Sequence, residues 1–355
     1  MNEKTELDQY FLQLEREDKF SGVVLMTRGD QALFSGAYGY ASRAWKIKNS
    51  PDTRFDTASI TKLFTAVAVL QLIDQKKLAL DTRVVDYLDM EGTAISRDVT
   101  TFHLLTHSSG IADDADEEAG ESYEDVWKTK PNYSVTEAVD FLPQFVHKPA
   151  NFPPGQGCRY CNCGYVLLGL LVEKASGVKY RDYVQKNIFD QAGMSRSGFF
   201  RMDRVNEDVA EGNDPIKDAD GRIVDWKRNI YSYPPVGTPD GGAHVTAGDL
   251  DRFLREVKAG KLLSAEMTES FFTPHVFYRS AKEGTEKFGY GMWFLLDGAG
   301  QVVHCGKDGI NAGASGMVRY YPKEDLNVVL LSNMEDGAWE PMRTVHKMIA
   351  SQQFS

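Results

Sequence analysis

The sequence predicts a mixed α/β (α+β) protein in which strands open and close the chain and helices fill its middle. Three observations carry that expectation. Two β-rich runs, GVVLMT (Gly22–Thr27) and ALFSGAYGY (Ala32–Tyr40), flank the turn RGDQ near the N-terminus. Four more, FGYGMWFLL, QVVHC, ASGMVRYY and NVVLLSN, are separated by turn residues near the C-terminus. Between them, from about Val85 to Tyr233, helical segments alternate with loops rich in Pro, Gly and Asp. The economical arrangement is one antiparallel sheet built from both ends of the chain, flanked by terminal helices, with a mostly helical domain inserted. Residues 1–84 and 235–355 are expected to form the discontinuous sheet domain and residues 85–234 the insert, with a pocket in the cleft between them.

The individual elements follow from local pattern. The N-terminal run MNEKTELDQYFLQLERED is charged and helical in pattern. A helix is expected from about Ser59 to Lys76, because Ile60, Leu63, Phe64, Val67, Leu70 and Ile73 recur at the spacing of one helical face. KKLALDTRVVDYL leaves it as a short connection into a second helix. The acidic run DDADEEAGESYEDVW reads as a solvated surface loop rather than a metal site. YVLLGLLVEKAS is a buried helix stopped by Gly177, and WEPMRTVHKMIAS closes the chain as another.

Composition narrows the function. A chain of 355 residues can bury a large core and a deep pocket. With 42% hydrophobic and 26% charged residues it is an ordinary globular composition. The formal charge of −11 argues against a nucleic-acid or anionic-membrane partner, since both need clustered Lys and Arg. The N-terminus has no secretory h-region, and no apolar run is long enough to span a bilayer. As written, the sequence suggests a cytoplasmic protein; a removed leader would make it periplasmic or secreted.

Three of the four cysteines, Cys158, Cys161 and Cys163, crowd into CRYCNC, and the fourth is Cys305. A zinc site wants four ligands and no His-rich partner lies beside the cluster, so reduced thiols and no metal are expected.

The chemistry centres on FDTASITKLFT (Phe55–Thr65), where Ser59 and Lys62 lie three residues apart at the start of an apolar helix. Residues i and i+3 share a helical face, so the lysine can reach the serine hydroxyl. A serine attacks carbonyls only when a base takes its proton, and lysine serves once burial or nearby cations lower its pKa. The helix N-terminus adds N–H groups for a developing oxyanion. An isolated S-x-x-K is weak evidence, but further segments accompany it. Tyr160 and Asn162 stand two apart in YCN, before the buried helix. His304 and Gly306 stand two apart in HCG, and His107 and Gly110 lie in LLTHSSGI (Leu104–Ile111).

With these segments in this order, the sequence resembles the serine β-lactamase and penicillin-binding-protein superfamily. The nearest branch is that of class C β-lactamases, family VIII carboxylesterases, D-aminopeptidases and DD-peptidases. SITK matches its S-x-x-K, YCN its Y-x-N, and HCG its K-T-G or H-x-G, and the likeness runs from about Gly22 to Asn333. The resemblance implies a β-lactamase/transpeptidase-like fold. It implies Ser59 as acylated nucleophile, Lys62 as proton acceptor or relay, and Tyr160 as general base, as a phenolate favoured by nearby cations. Asn162 would bind substrate or Lys62. His304 would tune the field around Tyr160, with Gly306 beside it. The backbone N–H groups of Ser59 and Lys307 would form the oxyanion hole. His107 would be structural. Cys161 and Cys305 lie inside two motifs; were those motifs to meet across the cleft, the two would lie close together, with a disulfide or a thiol-sensitive site as the lesser expectation beside free thiols.

The expected function is therefore a serine hydrolase acting on small esters, amides or D-amino-acid peptides, or β-lactams. Esterase or peptidase-like activity is favoured over efficient β-lactamase activity, because His304 stands where the best-known β-lactamases have lysine. The alternatives are a penicillin-binding receptor that deacylates slowly and a non-catalytic binding module on the same fold. No cofactor is expected, since GDQALFSGAYGYA lacks the strand–G-x-G-x-x-G–helix context of a dinucleotide loop.

Overall fold

The structure is a computed structural model that describes residues 3–351. Its centre is an eight-stranded sheet drawn from both ends of the chain. The strands are β1 (Gly22–Arg28), β2 (Gln31–Tyr38), β3 (Val276–Ala281), β4 (Gly284–Phe288), β5 (Trp293–Leu296), β6 (Val302–Asn311), β7 (Ala314–Tyr321) and β8 (Leu326–Ser332). Their spatial order is β2-β1-β8-β7-β6-β5-β4-β3, and every pairing is antiparallel. The N-terminal hairpin thus joins the C-terminal meander through β1 and β8, with Gly22 opposite Ser332 and Arg28 opposite Leu326.

Both faces of this sheet are covered, which explains why β8 is buried along its whole length. Alternate residues serve different cores, as the strand period of two requires. Val24, Met26, Val328 and Leu330 face outward, onto Leu7 and Phe11 of α1 (Glu3–Arg16) and Met342 and Val345 of α5 (Trp339–Ala350). Val23, Val329 and Leu331 face inward and join the larger core. That core contains α2 (Thr61–Asp74), α3 (Asn162–Ser176) and α4 (Ala247–Lys258).

The helix α2 departs from the one-sided reading: residues 61 to 72 are all buried, the polar ones included. It runs through the centre of the molecule, so its apolar stripe is only the most regular of its packed faces. The expected buried helix α3 ends at Gly177, whose φ of 72° supplies the left-handed cap. Two hairpins are additional to the sequence reading. One is β3–β4, and the other pairs Asn213–Lys217 with Ile223–Arg228 inside the mainly helical middle. Both are polar and partly exposed, so their apolar signal is weak. No helix among the described residues is long and apolar enough to cross a membrane.

Candidate active site

Ser59 lies in a single 3-10 turn, Ala58–Ile60, that leads directly into α2. Ala58 has a φ of +43°, a left-handed conformation costly for a residue with a side chain. The turn is held from several sides. Ala58 N–H donates to Asp56 Oδ1 (2.7 Å), and Thr57 Oγ1 donates to the Ala243 carbonyl (2.7 Å). Gly309 of β6 packs against it so closely that a Cβ there would meet Thr57 O at 2.2 Å and Ser59 N at 3.1 Å. Ser59 remains partly accessible and lines a cleft, while its neighbours are buried.

Lys62, one turn on, is fully buried. Its Nζ lies 3.0 Å from Ser59 Oγ, 2.8 Å from Asn162 Oδ1 and 2.6 Å from the Asp240 carbonyl. Burial lowers its pKa, against the nearby carboxyl groups of Asp240, Glu117 and Asp113. The geometry suits the neutral amine. Two of its three partners are oxygens that only accept, so they take both N–H groups and leave the lone pair aimed at the Ser59 hydroxyl.

Tyr160 completes the contact around the serine: its hydroxyl donates to Ser59 Oγ at 2.8 Å. The ring sits between cations and aromatics. Lys307 Nζ is 4.4 Å and Lys62 Nζ 5.0 Å from its centroid, and the His107 ring is 4.6 Å away. The resting phenolate expected from the sequence does not fit this environment. Burial pushes the phenol well above its ordinary value and Glu117 adds to the rise, while the bond to Ser59 only partly opposes them. The cations are weakened in turn: burial, then Lys62, brings Lys307 down to about 7. Burial thus favours the neutral forms of the phenol and of both amines around Ser59.

The Y-x-N segment is fixed by the two loops that precede it. Asp113 accepts from Asn162 N–H (2.7 Å) and Cys163 N–H (2.9 Å), capping the start of α3. His107 Nδ1 accepts from Cys161 N–H at 3.1 Å, with the His107 backbone left-handed at φ +57°. Burial, then Lys307 and Lys62, holds the His107 imidazole well below its ordinary pKa, so it is neutral, as that acceptor role requires. Gly110 is needed in the same loop, because a Cβ would strike the Phe152 carbonyl at 2.0 Å.

The acidic run is only in part the solvated loop expected from composition: residues 117–122 are exposed, but the start of the run is buried and its middle borders the cleft. Asp113 and Asp114 are buried, Glu118 accepts from Tyr160 N–H at 2.9 Å, and Glu117 lines the cleft in front of Ser59. Burial pushes the Asp114 carboxyl well up, and Asp113 adds to it. Charge density alone hid this wall, since buried and exposed acids look alike in a sequence. Asp56 and Asp240 also line the cleft, with Tyr123, Tyr233 and Ile310, and among the described residues no Lys or Arg side chain is in that lining.

The third motif needs correction. His304 does not approach Tyr160; its ring packs on Trp293 (5.1 Å), Tyr321 (5.3 Å) and His346 of α5 (5.2 Å), on the outer face of the sheet. His304 and Lys307 are three residues apart on one strand, so they must point to opposite faces. Gly306 shares the parity of His304 and lies opposite Arg319 of β7, away from the serine. The K-x-G at Lys307–Asp308–Gly309 is what reaches the site, three residues beyond the H-x-G read from the sequence; KDG itself was the overlooked signal. Pairing of β5 with β6 ends at Gly306, so residues from Lys307 to Asn311 present an unpaired edge, and Ile310 and Asn311 line the cleft. All four cysteines are free thiols, Cys161 and Cys305 included. Among the described residues the CRYCNC thiols do not converge; the one set of donor atoms close enough to share an ion is Asp113, Asp114 and Cys163.

Comparison with known proteins bears on the family and the fold. The family model described as Beta-lactamase matches residues 7–348. A solved structure of a penicillin binding protein from Bacillus halodurans superposes with a TM-score of 0.86 and 38% identity, covering 95% of this chain and 99% of that one. Penicillin-binding protein 4* of Bacillus subtilis (strain 168) is 27% identical over 96% of this chain and 74% of its own length. Esterase EstB of Burkholderia gladioli is 29% identical over 71% of this chain and 69% of its own.

Proposed function

Because the chain belongs to the beta-lactamase family, we propose that it is a serine hydrolase working through an acyl-enzyme on Ser59. One observation carries the reading: Ser59 Oγ is held at once by Lys62 Nζ (3.0 Å) and the Tyr160 hydroxyl (2.8 Å), at the floor of a cleft. Ser59, Lys62 and Lys307 come from the proposed sheet domain (1–84 and 235–355), Tyr160 and Asn162 from the proposed insert (85–234).

In this reading Ser59 Oγ attacks the substrate carbonyl as its proton passes to the Lys62 lone pair. The Tyr160 hydroxyl gives its proton to the leaving oxygen or nitrogen and is refilled from the Lys62 ammonium, which restores the amine. Water then attacks the ester on Ser59, losing its proton along the same path in reverse order. Asn162 orients Lys62. Lys307 supplies positive potential at the Tyr160 ring. The oxyanion is met by the N–H groups of Ser59 and Ile310. Ile310 replaces Lys307 in that role because Gly309 is the β6 residue that touches the Ser59 turn, and Ile310 follows it into the cleft.

The cleft also supports a substrate class. Among the described residues Asp56, Glu117 and Asp240 line it without a Lys or Arg, the cations Lys62 and Lys307 standing behind Ser59 and Tyr160. Such a wall suits acyl groups that are neutral or carry an amine, and repels anionic ones. Small esters and amino-acid amides fit it better than penicillins. A panel of p-nitrophenyl esters, D-amino-acid p-nitroanilides, D-Ala-D-Ala peptides and nitrocefin tests the reading: ester or anilide turnover well above nitrocefin turnover is expected. Two relatives are named penicillin-binding proteins, which favours a second reading, a slowly deacylating receptor. A lasting adduct with labelled penicillin and no turnover of any ester or amide would select it. A non-catalytic binding module is disfavoured by the intact contact of Ser59, Lys62 and Tyr160.

A further inference from the structure

We infer that the outer face of the sheet holds a second binding site, for a small organic carboxylate with an apolar body, centred on Arg319 and His304. A cavity of about 290 Å³ opens there between β5, β6 and β7 and the exposed side of α5. Its floor is unusual in its polar groups. His304 is 2% exposed and its Nδ1 has no hydrogen-bond partner among the described residues. Arg319 is 9% exposed, its Nε is likewise unpartnered, and it forms no ion pair among the described residues. The nearest acid, the buried Asp308 on the same face of β6, feels the Arg319 charge without forming an ion pair with it, and a planar fork of donors is matched best by a carboxylate in direct contact.

The rim has the same sign. Lys282, Arg343 and Lys347 surround the opening, and none of them forms an ion pair among the described residues. Of the two acids in the lining, Glu286 binds Arg279 (2.7 Å), while Glu283 lies 3.5 Å from His346, an imidazole that burial holds below its ordinary pKa. A concave, positively charged surface in a chain of net charge −11 draws anions against the field of the rest of the molecule. The remaining wall is apolar. Leu295 lines it, and the Trp293 indole lies edge-on to His304, with the Arg319 guanidinium 5.3 Å from its ring. The volume is at the lower end of small-molecule pockets, which suits an aryl or short alkyl acid. The site is separate from the cleft, since His304 and Lys307 face opposite sides of β6.

Calorimetric titration of the full chain with 4-phenylbutyrate tests this, with 4-phenylbutanol as the uncharged control. The acid should bind about ten-fold or more tightly than the alcohol, a difference of about 1.4 kcal/mol or more. The double variant Arg343→Glu/Lys347→Glu changes two exposed helix positions; it should weaken the acid by at least about ten-fold and leave ester hydrolysis unchanged. Binding should persist in protein whose serine has been blocked with a fluorophosphonate. Absence of acid binding, equal binding of acid and alcohol, an unaffected double variant, or loss of binding on blocking the serine would each overturn the proposal.

Discussion

Gly309 and Ser59 touch backbone to backbone: a Cβ on Gly309 would come within 3.1 Å of Ser59 N and 2.2 Å of Thr57 O. The strand and the nucleophile turn are therefore a single rigid unit, and the position tolerates no side chain. Gly309→Ala should cost about 1–3 kcal/mol of stability through overpacking. It should depress ester hydrolysis more than that loss accounts for, because the shift falls on the Ser59 N–H. Thermal melts and kcat/KM for a p-nitrophenyl ester read the two effects separately; unchanged kinetics would detach Gly309 from the oxyanion site.

Removing the Tyr160 hydroxyl takes one partner from Ser59 Oγ and leaves the aromatic packing in place. Tyr160→Phe should lower turnover by about 10²–10⁴-fold, the usual range for a lost acid–base group, with the melting temperature nearly constant. Turnover at the wild-type rate would remove Tyr160 from the mechanism.

The pH dependence follows from the direction of the lysine shifts. Lys62 must be neutral to accept the serine proton, so acylation should rise with pH through its lowered pKa and then level off. Tyr160, held above its ordinary value, should contribute no alkaline fall below that value. Lys307 adds a stability signature. Its folded pKa of about 7 lies below the unfolded 10.5, so the unfolded chain binds more protons between those values. Stability from this group thus rises with pH across that window. Relative to Lys307→Met, the wild type should gain stability from pH 7 to 10, as chemical denaturation would show; a constant difference would mean that Lys307 is not depressed.

Asp113 holds two backbone N–H groups at the start of α3, and one of them belongs to Asn162, which in turn orients Lys62. Asp113→Ala should cost about 0.5–2 kcal/mol, as lost N-caps do. It should also lower kcat more than it raises KM, since it disturbs proton transfer rather than the cleft wall. An effect confined to stability would reduce Asp113 to a cap.

Glu117 is the exposed member of the acidic wall and lines the cleft beside Asn162. Glu117→Gln should lower kcat/KM for an amine-bearing D-amino-acid p-nitroanilide by about ten-fold, or 1.4 kcal/mol, more than for a neutral ester, which feels the change only through the charge Glu117 presents to Lys62 and Tyr160. Equal effects on both substrates would remove Glu117 from selectivity.

How much of this was legible in the sequence depended on the kind of signal. The nearness of Ser59 and Lys62 was readable from their i to i+3 spacing; Tyr160 and Asn162 were picked out only through the order of the family motifs, since no local spacing brings them to Ser59. The sheet drawn from both ends was readable because β1 and β8 are strongly apolar. His304 was misplaced because H-x-G and K-x-G overlap within HCGKDG, and only the alternation of side chains on β6 separates them. The role of Asp113 and Glu117 was not readable, since folding back of the acidic loop against α3 is a tertiary event without periodicity. The β3–β4 hairpin was missed because an exposed edge alternates polar residues with few large apolar ones.

Intact-mass analysis after incubation with a fluorophosphonate tests the central claim most directly. The account predicts one adduct per chain, located on the peptide containing Ser59, and none on a folded Ser59→Ala protein. An unmodified wild-type chain, or an adduct that survives the Ser59→Ala change, would contradict it.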